Sequence, residues 1–140
     1  MIKKFIKVIF LLLFLPNILF AKSEFFQEGL RLYNKNKYED AKFKFEQDIV
    51  FNPKSELSYL YLSKIFKKLD KQNLEEQNLN VVILLNPKNE EALYYLARLK
   101  LDNSDYKKSK KLNERLKDIC NNFCGQSEKL KTEIENLSKK

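Results

Sequence analysis

The side chains in this sequence that could do chemistry are two cysteines, seven tyrosines and a set of carboxylates scattered among lysines; histidine is absent. Without histidine the chain lacks the commonest general base and metal ligand. Cys120 and Cys124 have three residues between them, whereas a redox pair wants two, and two thiolates alone make a poor zinc site. One helical turn separates Cα atoms by about 6 Å. The pair therefore reads either as a local disulfide, if the helix has begun to unwind there, or as two free thiols, and both readings are structural. Glycine occurs only at positions 29 and 125, which leaves no room for a GxSxG nucleophile turn or a glycine-rich phosphate loop. The Asp and Glu side chains read as solvated partners of lysines at helical spacing rather than as an acid–base pair. No catalytic residue, metal ligand or cofactor is assigned, and no small-molecule substrate is expected.

Two glycines and three prolines against 33% charged and 44% apolar residues favour long helices over loops, and 140 residues hold one domain. The start of the chain carries Lys3, Lys4 and Lys7, then the apolar run Val8 to Leu15, then Pro16, Asn17 and, at the end, Ala21. This is the pattern of a secretory signal peptide over residues 1–21, with cleavage after Ala21. The run falls short of the roughly 20 apolar residues that span a bilayer, so a retained membrane anchor is the alternative. The expected location is periplasmic or secreted, or the inner membrane if the leader is retained. No cysteine follows the apolar run, which disfavours lipid attachment. Removing the three leader lysines takes the basic count from 27 to 24, against 19 acids, an excess of 5 that serves solubility or an acidic partner. Nucleic acid is not an expected partner.

Pro53 and Pro87 lie 34 residues apart, each after an Asn and an apolar stretch, and that spacing points to a repeat. From residue 25 the pattern runs Phe25, Gly29, Leu32, Tyr33, Tyr38, Ala41, Phe45, Pro53, with the polar turn Asn34 to Lys37 between two helical halves. Gly29 and Ala41 are small where two antiparallel helices approach, and the aromatic residues fill the space beside them. Asn36 and Glu39 have the spacing of a capping box. Shifted by 34, the second unit reads Tyr59, Ser63, Gln72, Glu75, Leu79, Val82, Pro87, so Gln72 and Glu75 replace the aromatic and the Ala. The third reads Leu93, Ala97, Tyr106, Ser109, Asn113, Leu116, with Asn121 for the closing Pro.

The unit resembles the tetratricopeptide repeat, strongly over Phe25 to Pro53 and in eroded form to residue 121, with a further departure at Asp48, where that family prefers Ala. The resemblance implies an all-α fold, a short right-handed solenoid of about three antiparallel helix pairs over residues 22–53, 56–87 and 90–121. Residues 122–140 form a C-terminal capping helix, with Gly125 as the stop before it and Ser127 as its N-cap. It implies a concave groove that holds a peptide or short helix of another protein. By register that groove is lined by Phe26, Leu30, Tyr33 and Asn34, by Leu57, Leu60, Lys64, Lys67 and Lys68, and by Tyr94, Arg98 and Leu101. The family's clamp for a C-terminal carboxylate is absent, because Phe26 and Leu30 occupy its first positions. An acidic partner with apolar anchors would match such a surface. The expected function is a non-catalytic adaptor or scaffold of the cell envelope. The alternative is a structural envelope protein, anchored by a retained leader and meeting itself, anionic lipid or cell wall through the basic helix around Lys107 to Lys117.

Overall fold

A computed structural model describes residues 23–139. The expected leader lies outside the described residues. Within them the chain forms α1 (Glu24–Asn34), α2 (Tyr38–Phe51), α3 (Glu56–Lys68), α4 (Gln72–Leu85), α5 (Glu90–Asp102), α6 (Tyr106–Ile119) and α7 (Cys124–Leu137). The helices pack pairwise as α1 on α2, α3 on α4 and α5 on α6; α2 meets α3, α4 meets α5, and α7 closes the stack against α6 and α5. This is the all-α solenoid that the repeat implies.

The turn inside each pair is built the same way three times. Asn36, Asp70 and Ser104 take a left-handed backbone with φ of 57°, 54° and 61°. The amides of Lys37, Lys71 and Asp105 then reach back to the carbonyls of Leu32, Phe66 and Lys100 at 2.8–3.0 Å. Asn36, Asp70 and Ser104 themselves donate to Tyr33, Lys67 and Leu101. This double bond pattern closes a helix with one left-handed residue, and Asn and Asp adopt that conformation more readily than other non-glycine residues. The expected capping box is therefore corrected. Asn36 ends α1 rather than capping α2, whose N-cap is Lys37 without a side-chain bond, and its Oδ1 accepts from the Tyr38 hydroxyl at 2.7 Å.

Glutamates at the repeat spacing clasp the turn between the second and third pairs and the turn before the cap. Glu56, first in α3, accepts from Asn86 and Asn89 at 3.0 and 2.5 Å. Glu90, first in α5, accepts from the amides of Asn122 and Phe123, both at 2.9 Å, and the backbone of this turn, Asn121 first and then Phe123 and Asn122, holds its carboxyl below the usual range. This clasp explains a second correction. Cys120 leaves the helix with φ −61° and ψ 140°, and α7 starts at Cys124, so Gly125 sits inside its first turn. Ser127 is buried within α7, where its carbonyl accepts from Asn113 at 2.9 Å, and is not a cap. Cys120 and Cys124 are joined by a disulfide across this turn.

The core runs along the stack in three clusters, around Phe26 and Phe45, around Leu79 and Val82, and around Ala97 and Leu130. Gly29 sets the closest helix approach. A Cβ placed on it would lie 2.9 Å from Cε1 of the fully buried Phe45 ring. Gly29→Ala gains about 1 kcal/mol of helix propensity but overpacks this contact by about 1–3 kcal/mol. The expected outcome is a net loss of stability in urea unfolding, and a smaller loss when the same change is made in a Phe45→Leu background, where the ring is no longer in the way.

Candidate functional site

Unit two lacks the two residues that close unit one. In unit one Tyr38 packs edge-on against Tyr33, with ring centroids 5.6 Å apart, and Ala41 is fully buried beside it. The equivalent Gln72 is exposed, and the equivalent of Ala41 is the long acidic side chain of Glu75. A cleft of about 590 Å³ lies there, lined by Tyr33, Ser63, Lys64, Lys67, Lys68, Glu75 and Tyr95. α3 supplies the lysines from successive turns, while α1 and α5 bring a tyrosine from either side.

Four of the residues expected in the groove, Tyr33, Lys64, Lys67 and Lys68, line this cleft. Asn34 is exposed at the end of α1. Phe26, Leu60 and Leu101 are corrections. At 3%, 3% and 4% exposure they are core residues, because their register turns them toward the partner helices, and their size suits packing as well as it suits a groove. Tyr94 packs on Phe123 with centroids 5.6 Å apart, toward the cap. Arg98 pairs with Glu133 of α7 and, at 3.7 Å, with Asp102, so it fastens the cap. Leu30 is half-buried and packs against the first core cluster, whereas Leu57 is exposed at the start of α3.

Register reasoning missed Tyr95 and Glu75. Tyr95 was one position from the tyrosine chosen on the same helix. Glu75 was visible as a break in the small-residue pattern, and the signal that could have joined it to the groove was the lysine run one turn earlier in space.

The charges in the cleft are not equivalent. Lys64 pairs with Glu91 at 2.7 Å and lies 4.8 Å from the centre of the Tyr61 ring. Lys67 stands 5.1 Å over the Tyr95 ring, and among the described residues no carboxylate pairs with Lys67 or Lys68. Burial pushes the hydroxyls of Tyr33 and Tyr95 up, which keeps both as neutral donors. Glu75 is 4% exposed and its carboxyl faces the cleft, where no described residue hydrogen-bonds or ion-pairs with it. Its proton affinity is raised, first by burial and further by Asp102, with Lys67 opposing. Among the described residues no group of three or more His, Cys, Asp or Glu is placed to hold a metal.

No protein-family model matches the chain, and no curated protein matches it. Its fold matches solved tetratricopeptide-repeat domains. The type III secretion chaperone SycD of Yersinia enterocolitica, in complex with a peptide of the translocator YopD, is similar at a TM-score of 0.73 and 15% identity, over 82% of this chain and 90% of that one. The first tetratricopeptide domain of Spaghetti (RPAP3), bound to the HSP90 peptide SRMEEVD, is similar at 0.69 and 18%, over 82% and 88%. The TPR2B domain of yeast Sti1, in a pHsp70 complex, is similar at 0.73 and 15%, over 81% and 94%. The fold of the described residues is thus that of the tetratricopeptide-repeat domains.

A buried carboxyl whose proton affinity is raised costs stability when ionised. That cost is absent below its ordinary value of 4.5 and grows as pH rises through the folded value. Glu75→Gln is expected to raise the melting temperature at neutral pH, with the difference shrinking toward pH 4.5, in paired thermal melts of both proteins. Equal melting at all pH values would place the carboxyl in water.

Proposed function

We propose that this chain is a non-catalytic adaptor that holds an acidic segment of another protein in the cleft between α1, α3 and α5. The observation that carries the reading is a pair of exposed lysines, Lys67 and Lys68, that form no salt bridge among the described residues and line a cleft with the half-buried rings of Tyr33 and Tyr95. Cations with aromatic neighbours attract carboxylates at long range and bury apolar anchors at contact. Further support is that similar folds hold peptides, one of them the acid-rich SRMEEVD.

The adaptor works in the cell envelope, periplasmic or secreted. The cationic and apolar start of the sequence supports export, and the Cys120–Cys124 bond supports an oxidising compartment.

In fluorescence anisotropy with labelled acidic, neutral and basic peptides carrying leucine anchors, the acidic set is expected to bind best and to weaken with added salt. Lys67→Glu with Lys68→Glu lowers that affinity about tenfold or more, the equivalent of about 1.4 kcal/mol. Unchanged affinity in the double variant, or a preference for basic peptides, sinks the reading. Lys64 and Arg98 are poor choices for this test, since reversing them breaks the pairs with Glu91 and Glu133.

A second reading rests on the edge where α1 begins and α2 ends. Val50 and Phe51 are 73% and 74% exposed there, and Leu84, near the end of α4, is 80% exposed; Phe25 stacks on Phe51 at 5.4 Å, and the following turns carry the exposed Lys54 and Lys88. Apolar side chains alternating with lysines suit an anionic bilayer surface, to which a retained leader would hold the chain. N-terminal sequencing of the protein from cells decides the anchor. A chain that starts at Lys22 removes it, and one that starts at Met1 supports it.

A further inference from the structure

The repeat needs small residues where Ala41, Glu75 and Ser109 stand. Ala41 and Ser109 meet that need and are fully buried, the Ser109 hydroxyl donating to the Ala97 carbonyl at 2.8 Å. Glu75 breaks it at the cleft lined by Lys64, Lys67 and Lys68. A long acid at this position is a loss for folding, since partial burial disfavours its charge more than Lys67 favours it. Local choices that oppose the fold tend to mark function. The carboxyl is not enclosed by apolar core; it opens into the cleft between Tyr33 and Tyr95. The charged groups facing it come from each neighbouring element. Lys64, Lys67 and Lys68 lie on α3, with Lys64 neutralised by Glu91. Asp102 lies on α5, where Lys100 is neutralised by Glu76. Tyr33 and Tyr95 add hydroxyls with raised proton affinity from α1 and α5.

An acidic segment entering this cleft meets Lys67 and Lys68 as attraction and an ionised Glu75 as repulsion. Protonation removes the repulsion and turns Glu75 into a donor aimed at the space where a ligand carboxylate would sit. We propose that Glu75 is a proton-dependent hydrogen-bond donor to a carboxylate side chain of the bound segment, so that capture takes up one proton. This rests on the groove reading above and sharpens its ligand. The partner is a segment with at least one acidic side chain beside an apolar anchor, and its grip tightens as pH falls. The proton comes from solvent, no covalent bond changes, and release of the segment returns it.

The sign follows from linkage. The ligand anion raises the proton affinity of Glu75 in the complex. Affinity therefore climbs as pH falls from the complexed value to the free value and levels below it. One proton limits the slope to about tenfold per pH unit. The ligand aspartates, with ordinary values near 3.9, stay ionised throughout that range.

The test uses anisotropy titrations of the full chain with a rhodamine-labelled aspartate peptide interrupted by leucine, from about pH 8 down to about pH 4.5, the ordinary value of the Glu75 carboxyl. Proton uptake is followed by calorimetry in buffers of different ionisation heat. Wild type is expected to bind several-fold more tightly at the acid end and to take up a fraction of one proton. Glu75→Gln, which keeps the shape and a donor without the charge, is expected to bind tightly with no slope and no uptake. Lys67→Glu with Lys68→Glu serves as the groove control. If wild type binds and that control does not, but the profile is flat or Glu75→Gln keeps the slope, the Glu75 proposal is overturned and the groove stands. If wild type binds the peptide no better than the control at any pH, the groove reading falls and the proposal with it.

Discussion

Two antiparallel helices joined by a short turn can close until their small residues touch, and the aromatic rings beside that contact then fix how far they close. In unit one the limit is the Phe45 ring, which leaves no room for a side chain on Gly29, with Ala41 fully buried in the same core cluster. The same pair of positions recurs as Ser63 with Glu75 and as Ala97 with Ser109. Each serine that replaces a smaller residue there returns its hydroxyl to a nearby carbonyl, Ser63 to Leu60 and Ser109 to Ala97. Polarity is therefore tolerated at the contact where the hydrogen bond is made at once, because the uncompensated group is what costs free energy. Once that distance is set, the left-handed residue repeats in each intra-pair turn, and the glutamate clasp recurs on the turns after α4 and α6.

The repeat was legible because its markers are steric. Small residues, rings and prolines at a fixed period leave few other arrangements, so the helix pairs could be placed from Gly29, Ala41, Pro53 and their counterparts. The turns were harder. Asn36 can cap a helix or take a left-handed backbone, and the choice depends on whether the preceding helix closes with a double carbonyl bond, which side-chain identity alone does not decide. The cap was misplaced for a related reason. Gly125 reads as a stop only in isolation, whereas the Glu90 carboxylate reaching 32 and 33 positions forward turns the chain earlier. Of the residues placed in the groove by register, Tyr33, Lys64, Lys67 and Lys68 line the cleft, Tyr94 packs toward the cap, and Phe26, Leu60 and Leu101 are core. An apolar side chain on the inner helix of a pair can face the neighbouring pair or the open side, and the difference is a rotation smaller than the spacing of adjacent residues.

Two departures from the repeat put acids where the stack wants small or apolar side chains, and they are resolved in opposite ways. Asp48 is 1% exposed, where the next units have Val82 and Leu116. It accepts from the hydroxyls of Ser23 and Ser58, and Ser55 donates to Ser58 at 3.0 Å. Ser23 also caps α1 through the Phe26 amide at 3.1 Å. One carboxylate thus ties the start of α1 to α2 and α3, and the acid is explained by what it holds inside the molecule. Glu75 has the same kind of burial and no such partners among the described residues. Packing does not account for it, and neither does a hydrogen-bond network.

That contrast carries weight because both acids face the same alternatives. A carboxyl forced into a helix interface either finds donors in the protein, is replaced by a residue that needs none, or is retained at a cost. Asp48 follows the first course, and Val82 and Leu116 at its counterpart positions are the second. Glu75 follows the third, in the one unit that also lost its closing aromatic and gained Lys64, Lys67 and Lys68. Loss of Tyr at position 72 without the acid would leave a cleft with no particular floor, and the acid without the cleft would have no solvent to face. Their coincidence with the lysines in a single unit turns an eroded repeat into the part of the stack with a defined chemistry, and the well-formed unit beside it serves as the wall against which that chemistry is held.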